Sequence, residues 1–100
     1  MVEVRQTERF VRWLADLPDL RVRAKLLARI ERLIGGNPGD VKPLGAGVSE
    51  LRINYGPGYR VYYLQRRSAL IILLAGGVKS TQVRDTEEAL LLADNLTEEI

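Results

Sequence analysis

Leu51, Ile53 and Tyr55 alternate with Glu50, Arg52 and Asn54, and the same two-residue rhythm resumes from Tyr59 to Gln65 after a break at Gly56-Pro57-Gly58. Such alternation belongs to strands with one apolar and one polar face. Arg66-Arg67-Ser68 makes a second break, and Leu70 to Leu74 follows as a continuous apolar run. Turns this short join antiparallel neighbours, because parallel strands need a crossover of a dozen residues or more. Three adjacent antiparallel strands are therefore the fixed point around which the rest of the chain must fold.

Ahead of them, Val2 and Val4 alternate with Glu3 and Arg5, a short strand pattern, and Thr7 offers a side-chain oxygen to cap a helix. Phe10, Trp13, Leu14 and Leu17 recur on one helical face until Pro18 stops the pattern. Asp19 caps a second, longer helix in which Leu26, Leu27, Ile30, Leu33 and Ile34 face the core, and Gly35-Gly36 end it. The two read as a helical hairpin. Asn37 to Gly47 is rich in Gly and Pro, shows neither period and reads as a loop. After the sheet, Gly76-Gly77 reads as its end, Ser80 or Thr81 as a cap, and Gln82 to Leu96 as a last helix with apolar Val83, Leu90 and Leu91. The expectation is one α+β domain over residues 1–100, an antiparallel sheet packed against the N-terminal helical hairpin with a C-terminal helix.

Composition narrows the chemistry. The chain has no cysteine and no histidine, which removes disulfides, thiol nucleophiles, imidazole bases and the usual zinc ligand sets; no cofactor or metal is expected. Ala69 to Ala75 is the longest apolar run, too short to span a bilayer, so a cytoplasmic location without a membrane partner is the default. The net charge of +2 conceals an asymmetry: residues 1–84 hold all fifteen cations against seven acids, whereas residues 85–100 carry six acids. Twelve of the cations are arginines, whose planar heads grip phosphate through paired hydrogen bonds. Arg21, Lys25, Arg29 and Arg32, spaced four, four and three apart on the second helix, form one basic stripe. It suits a phosphate backbone, and it equally suits an ordinary solvated face.

Gly47 to Tyr63, with Glu50-Leu51-Arg52, the Gly56-Pro57-Gly58 turn and Tyr59-Arg60-Val61-Tyr62-Tyr63, resembles the central hairpin of addiction-module killer proteins, a HigB-like branch of the RelE superfamily. Leu74 to Gln82 resembles that branch's Gly-Gly-x-Lys-Ser-x-Gln signature, with Val78 where the branch usually carries an acid. The resemblance implies a RelE-like fold and the toxin of a type II toxin–antitoxin module, a ribosome-dependent endoribonuclease that cuts mRNA by attack of a ribose 2′-oxygen. Its partners would be the ribosome, mRNA and a cognate antitoxin, expected to be of helix-turn-helix type, with no small-molecule cofactor. Without histidine, the chemistry falls to charge stabilisation and alignment by arginine and lysine.

By motif match Arg60 is the phosphate-holding arginine, expected on an open face of the sheet. Arg52 stands on the partner strand, where it completes a two-arginine clamp or pairs with Glu50. Lys79 precedes a helix amino terminus and joins the catalytic set; Tyr62 offers a ring to a base or a hydroxyl as proton donor. Lys42 and the stripe Arg21, Lys25, Arg29 and Arg32 are the remaining RNA-contact candidates. Two lysines of a well-studied ribosome-dependent nuclease of the superfamily fall here on Val48 and Glu50, so that machinery is not reproduced. The competing functions are a non-enzymatic, ParE-like inhibitor of DNA gyrase and an inactive, antitoxin-bound remnant. The acidic segment from Asp85 reads as a helix with an acidic solvent face, whose end can dock on the basic body.

Overall fold

The computed structural model describes residues 2–97. The elements run β1 (Glu3–Gln6), α1 (Glu8–Ala15), α2 (Leu20–Ile34), β2 (Val41–Gly45), β3 (Val48–Ile53), β4 (Tyr59–Arg66), β5 (Leu70–Val78), a 3-10 turn (Lys79–Thr81) and α3 (Gln82–Thr97). The helix starts lie where the capping residues put them. Thr7 accepts from the Phe10 amide at 3.0 Å and Asp19 from the Arg21 amide at 2.8 Å, satisfying amides that the first turn of a helix leaves without partners.

One five-stranded sheet has the order β1-β5-β4-β3-β2. The three central strands pair antiparallel through Leu51↔Val61 and Val61↔Gly76, as the alternation requires. The sheet is nevertheless mixed, because β1 joins β5 in parallel, Glu3 beside Leu70 and Gln6 beside Leu73. The segment expected as a loop holds a further strand: β2 pairs antiparallel with β3, Lys42 opposite Glu50 and Pro43 opposite Ser49. Pro43 is tolerated because β2 is the outermost strand, where an amide is not needed on the open side.

Two layers of helix enclose the sheet. On one face Phe10, Val22, Leu26, Ile30 and Leu33 pack against Leu51, Ile53, Val61, Tyr63, Ile71 and Leu73. Leu27, expected in this core, is exposed, and Val22 is buried on the inner face of α2 instead. α1 lies mainly on β5 and α2 on β3, so the pair spreads over the sheet. On the other face Ala89 and Ala93 of α3 sit against Val48, Tyr62, Leu64, Ile72 and Leu74. Val83 and Leu91, read as part of the apolar face of α3, point away from it and are exposed. That second layer decides the surroundings of every polar-face residue on β3 and β4.

Gly76-Gly77 does not end the sheet; β5 continues to Val78. The two glycines open opposite faces. A Cβ at Gly76 would stand 2.1 Å from Trp13 Cε3, and one at Gly77 2.0 Å from Asp85 Oδ2, so each glycine is the space that a neighbouring element fills. A register shift between Tyr62 and Tyr63, opposite Ala75 and Leu73, leaves Leu74 as an extra residue on β5, a bulge of the kind that bends a strand. No described helix is long and apolar enough to cross a membrane.

Candidate functional site

Strand register brings the polar-face residues into two rows beneath α3. Lys42, Glu50, Tyr62 and Ala75 form one row, and Arg52, Arg60 and Gly77 the next. Arg52 and Arg60 are thus direct cross-strand partners, an arrangement of like charges that is unfavourable unless an acid intervenes. Glu50 supplies that acid. Its Oε1 accepts from Arg52 Nε at 2.7 Å and lies 3.5 Å from Arg60 Nε. The hydrogen bond holds the Arg52 guanidinium above its ordinary pKa, because the carboxylate favours the charged form.

Asp85 completes the cluster from above. It enters over Gly77, in the row of Arg52 and Arg60, and accepts from the Thr81 hydroxyl. The expectation of a solvent-facing acid fails here, since Asp85 is 4% exposed. Only Gly77 makes room for it, and Thr81 lies one helical turn earlier to orient it. The Gly-Gly pair followed by Thr81 and Asp85 was the sequence signal for this contact. Glu98 and Glu99 lie outside the described residues.

α3 also corrects the expectation for Arg60. The guanidinium does not emerge on an open face: α3 covers that face, Arg60 is 8% exposed and Glu50 is wholly buried. Tyr62 is buried as well, so in this arrangement its ring cannot stack on a base. Burial pushes the Tyr62 phenol up, and neighbouring Glu50 and Asp85 add to the effect; it remains a protonated donor at neutral pH. Thr86 approaches that hydroxyl without completing a hydrogen bond of ordinary geometry. Glu50 Oε2 and Arg60 Nε also lack a hydrogen bond. Three such buried atoms in one cluster contrast with the satisfied interiors that proteins usually build.

The rim is different. The only hydrogen bond of the Arg52 head within the described residues runs from Nε to Glu50, so its terminal nitrogens remain free to grip another acceptor. Lys79 is exposed one residue beyond Val78, which pairs with Tyr59, and its amide donates to Pro57 O at 3.3 Å. The sheet end therefore gathers Arg52, Arg60 and Lys79. Lys42 is exposed on β2, on the same face as Glu50.

The basic stripe of α2 is divided. Arg29 turns inward and donates to Arg52 O at 2.7 Å and Pro38 O at 3.0 Å, tying α2 to the chain on either side of β2. Lys25 and Arg32 share a groove with it, whereas Arg21 does not line that groove. No described cluster of acids can hold a metal ion.

Residues 12–98 match the family described as phage-derived protein Gp49-like (DUF891). The chain belongs to this family. It is an addiction-module toxin-like family related to RelE and HigB, and that relationship suggests an antitoxin partner. An uncharacterized protein of Haemophilus influenzae is 48% identical over 95 residues, covering 95% of this chain and 96% of its own length.

Proposed function

We propose that this Gp49-like chain is the toxin of a type II toxin–antitoxin module and acts as a ribosome-dependent mRNA endoribonuclease with a RelE-like arrangement. The observation that carries the reading is the charge cluster at the sheet end. Arg52 and Arg60 face each other across β3 and β4 around one carboxylate, with Arg60 Nε and Glu50 Oε2 unsatisfied. A phosphate is the group that two such guanidiniums are shaped to hold.

In the proposed reaction a ribose 2′-oxygen bonds to the adjacent phosphorus as its proton passes to water, and the bond to the 5′-oxygen breaks. The products are a 2′,3′-cyclic phosphate and a 5′-hydroxyl, the latter receiving a proton. Arg52 and Lys79 meet the phosphate at the accessible rim. Arg60, one strand deeper, stabilises the charge that develops on phosphorus, and Glu50 sets the spacing of the two arginines. Lys79, exposed at the same rim, is the proton donor to the leaving 5′-oxygen. The helix-turn-helix antitoxin, ribosome and messenger belong to this reading.

The cover of α3 favours a second reading, non-enzymatic inhibition of DNA gyrase, in which the arginines are structural. Inducing the wild-type chain in bacteria and mapping 5′-hydroxyl ends separates the two. Discrete new ends inside translated regions are expected. Intact messenger accompanied by gyrase-dependent DNA breaks would replace the nuclease with the inhibitor.

A further inference from the structure

Some of the fifteen cations have a carboxylate within reach and others do not. Arg5, Arg9, Arg12, Arg52, Arg60 and Arg84 each lie within ion-pair distance of a carboxylate. Lys25, Arg29 and Arg32 belong to no ion pair among the described residues, yet they stand together along a groove of about 370 Å³ between α2 and the β3–β4 turn. Asn54 and Tyr55 line it from the turn side, and no acid lines it.

The groove is built rather than incidental. Arg29 is fixed by its bonds to three backbone carbonyls, those of Arg52, Pro38 and Asp40, which orient the guanidinium without neutralising it. Gly39, at φ +75°, leaves room beside it: a Cβ there would stand 3.2 Å from Arg29 Nη2 and 3.4 Å from Arg32 Nη2. Both guanidiniums therefore reach one spot. Two like charges held together without an acid are stabilised by an anion that bridges them.

An aromatic ring accompanies the charges. Tyr55 is 36% exposed, and Lys25 Nζ lies 4.7 Å from its ring centroid, a cation–π contact that keeps ammonium and ring together. Acidic protein segments would use the cations and leave the ring idle. Single-stranded nucleic acid uses both, because phosphates alternate with bases that stack on exposed aromatic rings.

We propose that this groove binds a single-stranded RNA segment, with Arg29 and Arg32 on one phosphate, Lys25 on an adjacent phosphate and Tyr55 stacked on a base. The choice of RNA rests on the proposed function; the preference for a single-stranded polyanion rests on the groove. The groove lies on the α2 side of the sheet, whereas the Arg52 and Arg60 side chains lie on the α3 side. Arg29 bonding to the Arg52 carbonyl links them through one strand. The groove supplies affinity away from the scissile phosphate.

The test is fluorescence anisotropy of a labelled single-stranded RNA oligonucleotide with the purified full chain, across a salt series. Arg29 is left intact because it holds backbone. The double variant Lys25→Gln/Arg32→Gln should weaken binding at low salt about tenfold or more and reduce the slope of log affinity against log salt by about 0.7, because Arg29 still neutralises the phosphate it shares with Arg32 and only that of Lys25 loses its cation. Tyr55→Leu should weaken binding about fivefold or more with the slope unchanged, and thermal unfolding identical to wild type shows that the folds are intact. Arg12→Gln, on α1 over β5 and outside both the groove and the proposed site, should bind as wild type. Groove variants that bind like wild type would overturn the proposal, as would competition by polyglutamate equal to that by polyuridylate. Oligonucleotide binding does not require cleavage, so groove-dependent binding by a chain that leaves messengers uncut rejects the nuclease and keeps the groove.

Discussion

The α3 side of the sheet and the α2 groove are both rich in arginine, and they treat their charges in opposite ways. Beneath α3, Arg52 and Arg60 share Glu50, and Asp85 descends over Gly77 into the same row. Along α2, Lys25, Arg29 and Arg32 form no ion pair among the described residues, and no acid lines their groove. Buried charge is tolerated only when paired, so the first set holds the fold together as well as serving the proposed chemistry. Lys25 and Arg32 are exposed, carry little desolvation cost and can remain unpaired until a polyanion arrives, while Arg29 is held by backbone carbonyls. Position in the fold thus determines which substitutions test stability and which test binding.

The largest expected effect is on the buried side. Glu50→Ala leaves two arginines facing each other with one of them buried, and should destabilise the protein by about 3 kcal/mol or more, read as a lower urea midpoint at unchanged slope. The matching change in the groove, Arg32→Gln, should stay within about 0.5 kcal/mol. Equal losses in the two variants would erase the distinction between the regions.

Gly77→Ala probes the same boundary from the side of α3. The added methyl meets the Asp85 carboxylate, so α3 must shift, at a cost of about 1–3 kcal/mol, with tryptic cleavage at Arg84 accelerated as α3 loosens. Unchanged stability and unchanged cleavage would mean that Asp85 is not held over the sheet. Gly45→Ala, at the exposed end of β2 where nothing crowds a Cβ, isolates the backbone cost of positive φ, of order 1 kcal/mol.

The smallest effect is a pH dependence. Tyr62 and Tyr63 both have phenols pushed up by burial; near neutrality each is protonated in folded and unfolded chains alike. As pH rises past about 10, the unfolded chain loses these protons first, so stability falls until the folded phenols also ionise. Tyr62→Phe should flatten this alkaline loss, since burial, with Glu50 and Asp85 adding to it, raises that phenol. The check is the urea midpoint of variant and wild type between about pH 9 and 11. An unaltered alkaline slope in Tyr62→Phe would detach that phenol from the cluster.

Local rules carried much of the fold. Thr7 and Asp19 cap their helices, Gly35 closes α2, and the alternation around Gly56-Pro57-Gly58 places Arg52 beside Arg60. What escaped is non-local. β2 is disguised by Pro43 and its glycines, because its pairing with β3 is not written in its own composition. Parallel addition of β1 depends on the whole sheet being present. The burial of Arg60 and Tyr62 depends on α3 crossing a face whose alternation on β3 reads as polar, and the small residues that permit it, Gly77, Ala89 and Ala93, carry weak local signals. The Glu50 pairing of Arg52 was one of two readings open in the sequence, and the geometry contains it without excluding phosphate at the free nitrogens.

The proposed function stands or falls on nuclease action against translated messenger. Incubating the purified chain with one defined messenger, free or on programmed ribosomes, and reading the ends by primer extension decides it. Cuts with 5′-hydroxyl ends are expected only when ribosomes are present, and they should be lost in Arg60→Lys at retained fold. Messenger left intact on ribosomes by a wild-type chain that still arrests growth would contradict the nuclease reading.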